Sequence, residues 1–321
     1  MTVKYLAILM KCAKLVLFHW GLAMIAFIKH STRRKAYQYA TRNGTKLFLR
    51  IGDLISKSAA IGSGHEPCLT QVIEDFASNG AADFFIDIGA NIGLSSCQNG
   101  NSFKKVICFE PNVLCANILK TNLAIALNNQ YEVMEFGLGV EEGEFDLYMP
   151  KHNWGGAFVR SESNDYSEDT LCRKDGFLSF SKENYIVTKV KLKKALDVFE
   201  DLFESFKSHG FSKGVCKIDV EGCENSVLLA LAEKVPASFE LNIIFENHSE
   251  DLDLKKIKDA FRGRLCSSKV IMKVRHANKY FNKKQSNFCA KILGKKLDVF
   301  DFDINEGKAP KGDIVLEIAK C

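Results

Sequence analysis

The chain has 321 residues, 46% of them hydrophobic and 26% charged, with 22 glycines and 5 prolines. That balance excludes a chain disordered throughout and any collagen-like or low-complexity class, and the length suits one large α/β domain with an appendage or two modest domains. Beneath a net charge of +5, residues 1–52 carry ten Lys or Arg and no acid, and residues 262–297 carry eleven, again with none. Such blocks suit anionic surfaces or substrates, although a solvated face is the plainer reading of the later one. No nucleic-acid motif accompanies the charge, so nucleic acid is not expected as a partner. The eleven cysteines are scattered without a Cys-x-x-Cys pair, and several, such as Cys108 and Cys216, lie in apolar runs. This pattern points to free, buried thiols in a reducing compartment, not to a zinc site.

Taken in chain order, residues 5–28 form an apolar run that as a helix would reach ~36 Å, past the ~30 Å of a bilayer core. Lys11, Lys14 and His19 interrupt it, and Lys29, His30, Arg33, Arg34 and Lys35 follow it. The run is therefore expected to associate with a membrane surface, spanning or interfacial, with the main domain in the cytoplasm. The competing reading is a helix packed on the domain itself. Residues 36–82 look helical and mixed. From Phe84 short apolar runs alternate with helical ones. Strands are expected at 84–89, 105–111, 131–139, 214–221 and 240–247, and helices at 112–127, 191–208, 223–234 and 251–262. The segment 150–189, rich in Ser, Asn, Asp and Lys, reads as an inserted loop or lid. The tail offers strands at 269–275 and 313–319, an antiparallel pair closing the sheet. The division predicted is 1–35, 36–82 and 83–321. Strands flanked by helices predict an α/β fold whose mainly parallel sheet is covered on both faces, with ligands beyond the carboxyl ends of the strands.

The chemistry gathers at those ends. FFIDIGANIG at 84–93 is an apolar strand ending in Asp87, then Gly89, Ala90, Asn91 and Gly93 before a helix. A glycine turn lets backbone approach a ligand closely, and the helix start offers free N–H groups. Glu110 ends the next apolar strand, where a carboxylate can accept hydrogen bonds from both hydroxyls of a ribose, so a nucleoside ligand is implied. A dinucleotide fingerprint would place glycines where Asn91 and Leu94 stand. Asp219 and Glu221 alternate at a strand end and are expected to share a face, where like charges raise a pKa and favour a base. Capping of the helix at 223–234 would explain them as well. Glu246, one strand over, could complete a carboxylate cluster, but nothing in the spacing demands a metal and none is expected. His152, Asn153, Trp154, Gly155 and Gly156 offer an acceptor-side loop or a plain surface turn, and His248 reads as an ordinary exposed histidine.

The D-x-G-A-N-x-G of residues 87–93 resembles motif I of class I S-adenosylmethionine-dependent methyltransferases, and specifically that of the FkbM family. FEPN at 109–112, KIDVEG at 217–222 and IIFENH at 243–248 extend the resemblance, with HEP at 65–67 and residues 137–150 as weaker blocks. It implies a Rossmann-like, seven-stranded methyltransferase fold, S-adenosyl-L-methionine as cofactor, and O-methylation of a hydroxyl on a small-molecule, saccharide or polyketide-like acceptor. It implies cofactor contacts from Asp87, Gly89, Ala90, Asn91, Gly93, Glu110, Pro111, Asn112, Phe136 and Gly137, the last two near the adenine. Asp219 would lie by the methionine part of the cofactor or by the acceptor, and Asp219, Glu221 and Glu246 are the candidate catalytic acids. Two other readings stay open: a nicotinamide-dependent oxidoreductase on a similar sheet, and a membrane-tethered scaffold with an inactive methyltransferase-like domain.

Overall fold

A computed structural model describes residues 46–50, 52–61, 66–160, 176–247, 254–271, 299–304 and 312–320, with isolated positions elsewhere. The chain runs α1 (Leu54–Ile61), α2 (Pro67–Ser78), β1 (Phe84–Ile88), α3 (Leu94–Asn99), β2 (Lys105–Phe109), α4 (Val113–Ala126), β3 (Gln130–Met134) and β4 (Gly137–Gly139). There follow β5 (Gly143–Pro150), β6 (Phe158–Val159), β7 (Tyr185–Lys194), α5 (Ala195–Ser208), β8 (Lys213–Ile218), α6 (Glu224–Lys234), β9 (Glu240–Asn247), α7 (Leu254–Ala260), β10 (Leu265–Ile271), β11 (Val299–Asp301) and β12 (Gly312–Ile318).

The main sheet has the order β11-β10-β12-β9-β8-β1-β2-β3. Strands β3, β2, β1, β8 and β9 run parallel, whereas β12 is antiparallel to both β9 and β10. The expected seven strands become eight, because the short β11 adds to the outer edge of β10. The pair closing the sheet is antiparallel as expected, with its first strand four residues earlier than the alternation at 269–275 suggested.

All five residues of β1 are buried, as a central strand covered on both faces requires. On one face Phe84 stacks on Phe206 of α5 at 4.2 Å, within a core that also takes Phe199, Phe203 and Phe239. Phe199, Leu202, Phe203 and Phe206 recur at helical spacing and give α5 its buried stripe. Asp197 in its first turn and Lys207 in its last complement the helix dipole, and Gly210, at φ 72, follows its end. On the other face Phe85, Val106, Val215 and Ile244 pack against α2 and α4 through Val72, Ile73, Leu119 and Leu123.

Two expectations give way next to β7. The helix expected from 191 begins at Ala195, because Tyr185–Leu192 is held as strand by an eight-residue antiparallel pairing with β5. The strand expected over 131–139 divides, and β4 joins β7 in a second, four-stranded sheet of order β4-β7-β5-β6. A Cβ at Gly137 would stand 2.6 Å from Leu192, so the glycine permits this close pairing. The segment read as a lid therefore begins and ends in sheet, where Tyr148, Phe158, Phe180 and Tyr185 pack together. The apolar run 5–28 lies outside the described residues, and among those described no helix is long and apolar enough to cross a membrane. The described cysteines are free, and Cys108, Cys115, Cys172 and Cys216 are buried.

Phe84→Ala should lower unfolding free energy by about 3–5 kcal/mol in a denaturant titration, the scale of truncating a buried aromatic. A loss under about 1 kcal/mol would show that the Phe84–Phe206 stack does not organise this core.

Candidate functional site

At the carboxyl end of β1 the chain turns sharply and comes back against its neighbours. Gly89 takes φ 80, and a Cβ there would stand 1.9 Å from the Asp219 carbonyl oxygen, so only glycine lets the turn lie on the end of β8. The N–H groups of Gly89 and Ala90 both donate to the Phe109 carbonyl at 3.0 Å. Asn91 sits in the left-handed region at φ 51, a conformation Asn tolerates, and its N–H donates to Glu110 Oε2 at 2.7 Å. The other oxygen of Glu110 accepts the Asn112 N–H at 2.8 Å. Thus the acid ending β2 is held from two sides by backbone. It is 7% exposed, and burial raises its pKa to about 7 against the pull of those two hydrogen bonds, with the Asp87 and Asp219 charges adding to the rise.

Three adjoining cavities open here. The largest, about 710 Å³, is bordered by Gly89, Asn91, Glu110, Pro111, Gly137, Asp219 and Glu221 and roofed by the second sheet and its loop through Leu147, Trp154, Phe158 and Leu192. The next, about 410 Å³, lies over the glycine turn between Ile55, Ser95, Gly155 and Lys217. A third, about 230 Å³, is enclosed by Glu66, Lys217, Glu246 and Asp313. Asp219 borders all three.

The residues singled out from sequence thus divide. Gly89, Asn91, Glu110, Pro111, Gly137, Asp219 and Glu221 meet in the large cavity, and Ala90 borders the second. Glu246 borders only the third, so the three candidate acids share Asp219 but not a single cavity. Among the described residues no group of three or more His, Cys, Asp or Glu is arranged to hold a metal ion. Asp87 lies behind the turn, fully buried, with Oδ2 accepting from Ser96 Oγ at 2.5 Å and Oδ1 3.6 Å from Lys217 Nζ. Gly93 packs on Leu119. Asn112 caps α4, accepting the Leu114 N–H at 3.1 Å. Phe136 packs edge-on against Phe109, with Lys193 over its face. Strand β8 ends at Ile218, so the alternation expected to align Asp219 with Glu221 stops short of both, and a turn brings Glu221 to the cavity. His65 and His248 lie outside the described residues.

Two contributions were not read from sequence. Lys217, 6% exposed, donates to Asp219 Oδ2 at 2.8 Å. Its signal is a charged residue inside the apolar run VCKI, two positions before an acid. The second is the stretch before the family-like blocks. Arg50 stacks over the Trp154 ring at 4.2 Å, and Asp53 accepts the Trp154 N–H at 2.9 Å. A Cβ at Gly155 would stand 1.8 Å from Ile55, so α1 is pressed onto this loop.

The Methyltransferase FkbM domain matches residues 87–280, more than half of the chain. The chain belongs to the FkbM methyltransferase family. Its α/β architecture, with the central strands in the order 3-2-1-8-9 and an antiparallel strand beyond, is Rossmann-like. This FkbM chain is 30% identical over 169 residues to methyltransferase sdnD of Sordaria araneosa, a match over 50% of this chain and 64% of that relative's length. Among solved structures it overlaps an O-methyltransferase from Bacillus cereus in complex with SAH at TM-score 0.39 and 12% identity, covering 79% and 82% of the two chains. A SAM-dependent methyltransferase from Agrobacterium tumefaciens overlaps at TM-score 0.38 and 9% identity, covering 82% and 65%.

Burial raises the Glu110 pKa above its ordinary 4.5, so this group favours the folded state below that value and loses its contribution as pH climbs through about 7. A ligand donating hydrogen bonds to the carboxylate favours the ionised form. Binding should therefore release protons near neutrality and weaken as pH falls below about 7. Calorimetry of an adenosyl ligand in buffers of different ionisation enthalpy checks this; no proton release would place the ligand away from Glu110.

Proposed function

We propose that this chain is an S-adenosylmethionine-dependent methyltransferase acting on a hydroxyl of a small-molecule or glycan acceptor. The observation that carries the reading is the Glu110 carboxylate. It borders the large cavity at the tip of β2, each oxygen accepting one backbone N–H, which leaves each a lone pair for a ribose hydroxyl. The cavity itself fits the group: the glycine turn and the Glu110 and Asp219 carboxylates border it together, with an apolar and aromatic wall opposite. Glu110 and the Asn91 backbone would hold the ribose, Pro111 and Gly137 would flank the base, and Asp219 would meet the amino-acid end beside the glycine turn. When bound, the cofactor supplies an electrophilic methyl group on sulfur.

The protein's own contribution is then mostly orientation, since a direct displacement needs acceptor oxygen, carbon and sulfur in line. The roof of Leu147, Trp154, Phe158 and Leu192 excludes water and presents an apolar, aromatic wall to the acceptor. Glu221 borders the large cavity but neither of the others, and is the group we assign to take the acceptor hydroxyl's proton on a carboxylate oxygen. Glu246, confined to the third cavity, takes no part in that transfer.

Calorimetry with S-adenosylhomocysteine and with NADH tests the reading. The first should bind, and Glu110→Gln should weaken it by about 1.5–3 kcal/mol, the scale of charge-assisted hydrogen bonds. Binding of NADH alone would reverse the assignment in favour of an oxidoreductase, and binding of neither would favour a scaffold.

A further inference from the structure

Resting on the adenosyl site just described, we propose that Lys217 is its positioning residue: the ammonium keeps Asp219 ionised and aimed, so that a carboxylate oxygen meets the ammonium at the ligand's amino-acid end. Lys217 and Asp219 stand two residues apart, and Nζ lies 2.8 Å from Asp219 Oδ2 and 3.6 Å from Asp87 Oδ1. The lysine side chain is 8% exposed and that of Asp219 is 37% exposed. The cation is thus the backing and the carboxylate the working face.

The charge balance gives the lysine its purpose. Among the described residues bordering the three cavities Lys217 is the only cation, against Glu66, Glu110, Asp219, Glu221, Glu246 and Asp313. Asp219 shares these linings with Glu110 from β2, Glu66 from the head of α2, Glu246 from β9, Asp313 from β12 and Glu221 in its own turn, while Asp87 from β1 meets the same ammonium. Without Lys217 these like charges would disfavour the ionised form of Asp219. Burial disfavours the ammonium, but the Asp219 and Asp87 charges, with Glu66 beyond them, hold its pKa above the ordinary lysine range.

A staple between strands is the rival explanation, and it has little left to do. Strands β1 and β8 are already paired from Phe84↔Gly214 to Ile88↔Ile218. A buried ion pair is also weak evidence for added stability, since an apolar residue serves a central strand at least as well.

The test compares S-adenosylhomocysteine with 5′-methylthioadenosine, which shares the adenosine and thioether but lacks the amino-acid end. The ratio of their affinities cancels what both share, including the folded fraction and the titration of Glu110. In the unaltered full chain the former should bind about tenfold or more the tighter by calorimetry, at a ratio steady between about pH 8 and about pH 6. Lys217→Met should cut that ratio by about tenfold and make the remainder shrink as pH falls. If Lys217→Met does not fold, the Asp87→Asn, Lys217→Met pair, which leaves no lone buried charge behind the turn, is read against Asp87→Asn alone. A ratio unmoved by the substitution, or no preference in the unaltered protein, overturns the role of Lys217. Failure of the unaltered protein to bind either ligand overturns the adenosyl site itself, and the inference with it.

Discussion

The Glu110 carboxylate accepts the Asn91 N–H with one oxygen and the Asn112 N–H with the other, and so joins the turn after β1 to the head of α4. Two loops that meet nowhere else in sequence are thereby fixed around one buried charge. Asn91 gives this hydrogen bond from a left-handed conformation within the turn. Buried carboxylates are costly unless their lone pairs are met. In Glu110 they are met in part, which leaves a site that gains when further donors arrive.

Around this fixed point the site is built from opposing charges and from segments distant in the chain. Asp219 sits where three cavities meet, backed by Lys217 and, through it, by Asp87 and Ser96. The second sheet supplies the roof. The stretch from Arg50 to Ile61 then locks that roof in place, because Asp53 holds the Trp154 backbone while Arg50 covers its ring. An FkbM core thus receives part of its wall from residues that precede the region matched by the family, 87–280.

Much of this was legible in the sequence, and for identifiable reasons. The runs at Phe84, Lys105 and Gly214 are largely apolar because their strands are buried on both faces, and a turn with glycines at 89 and 93 has few structural meanings. Glu110 stood out because an acid ending an apolar strand needs partners. What stayed hidden depended on contacts between distant segments. Tyr185–Lys194 carries four lysines, and its helix-like end at 191–194 runs straight into α5. Lys217 was passed over inside the family-like block KIDVEG, although a lysine in a central strand must be paired. No local pattern announces that Ile55 packs on Gly155, a hundred residues away. Asn112 and Phe136 show the converse. Their positions follow the family pattern, yet their side chains cap a helix and pack on Phe109.

One ligand is expected to bridge the glycine turn and the two acids at the ends of β2 and β8. A crystal structure with S-adenosylhomocysteine bound tests this most directly. Both ribose hydroxyls should lie within hydrogen-bonding distance of the Glu110 carboxylate, and the ligand's amino group beside Asp219 under the Trp154 loop. Electron density for the ligand in any other place, or with its ribose turned away from Glu110, would contradict it.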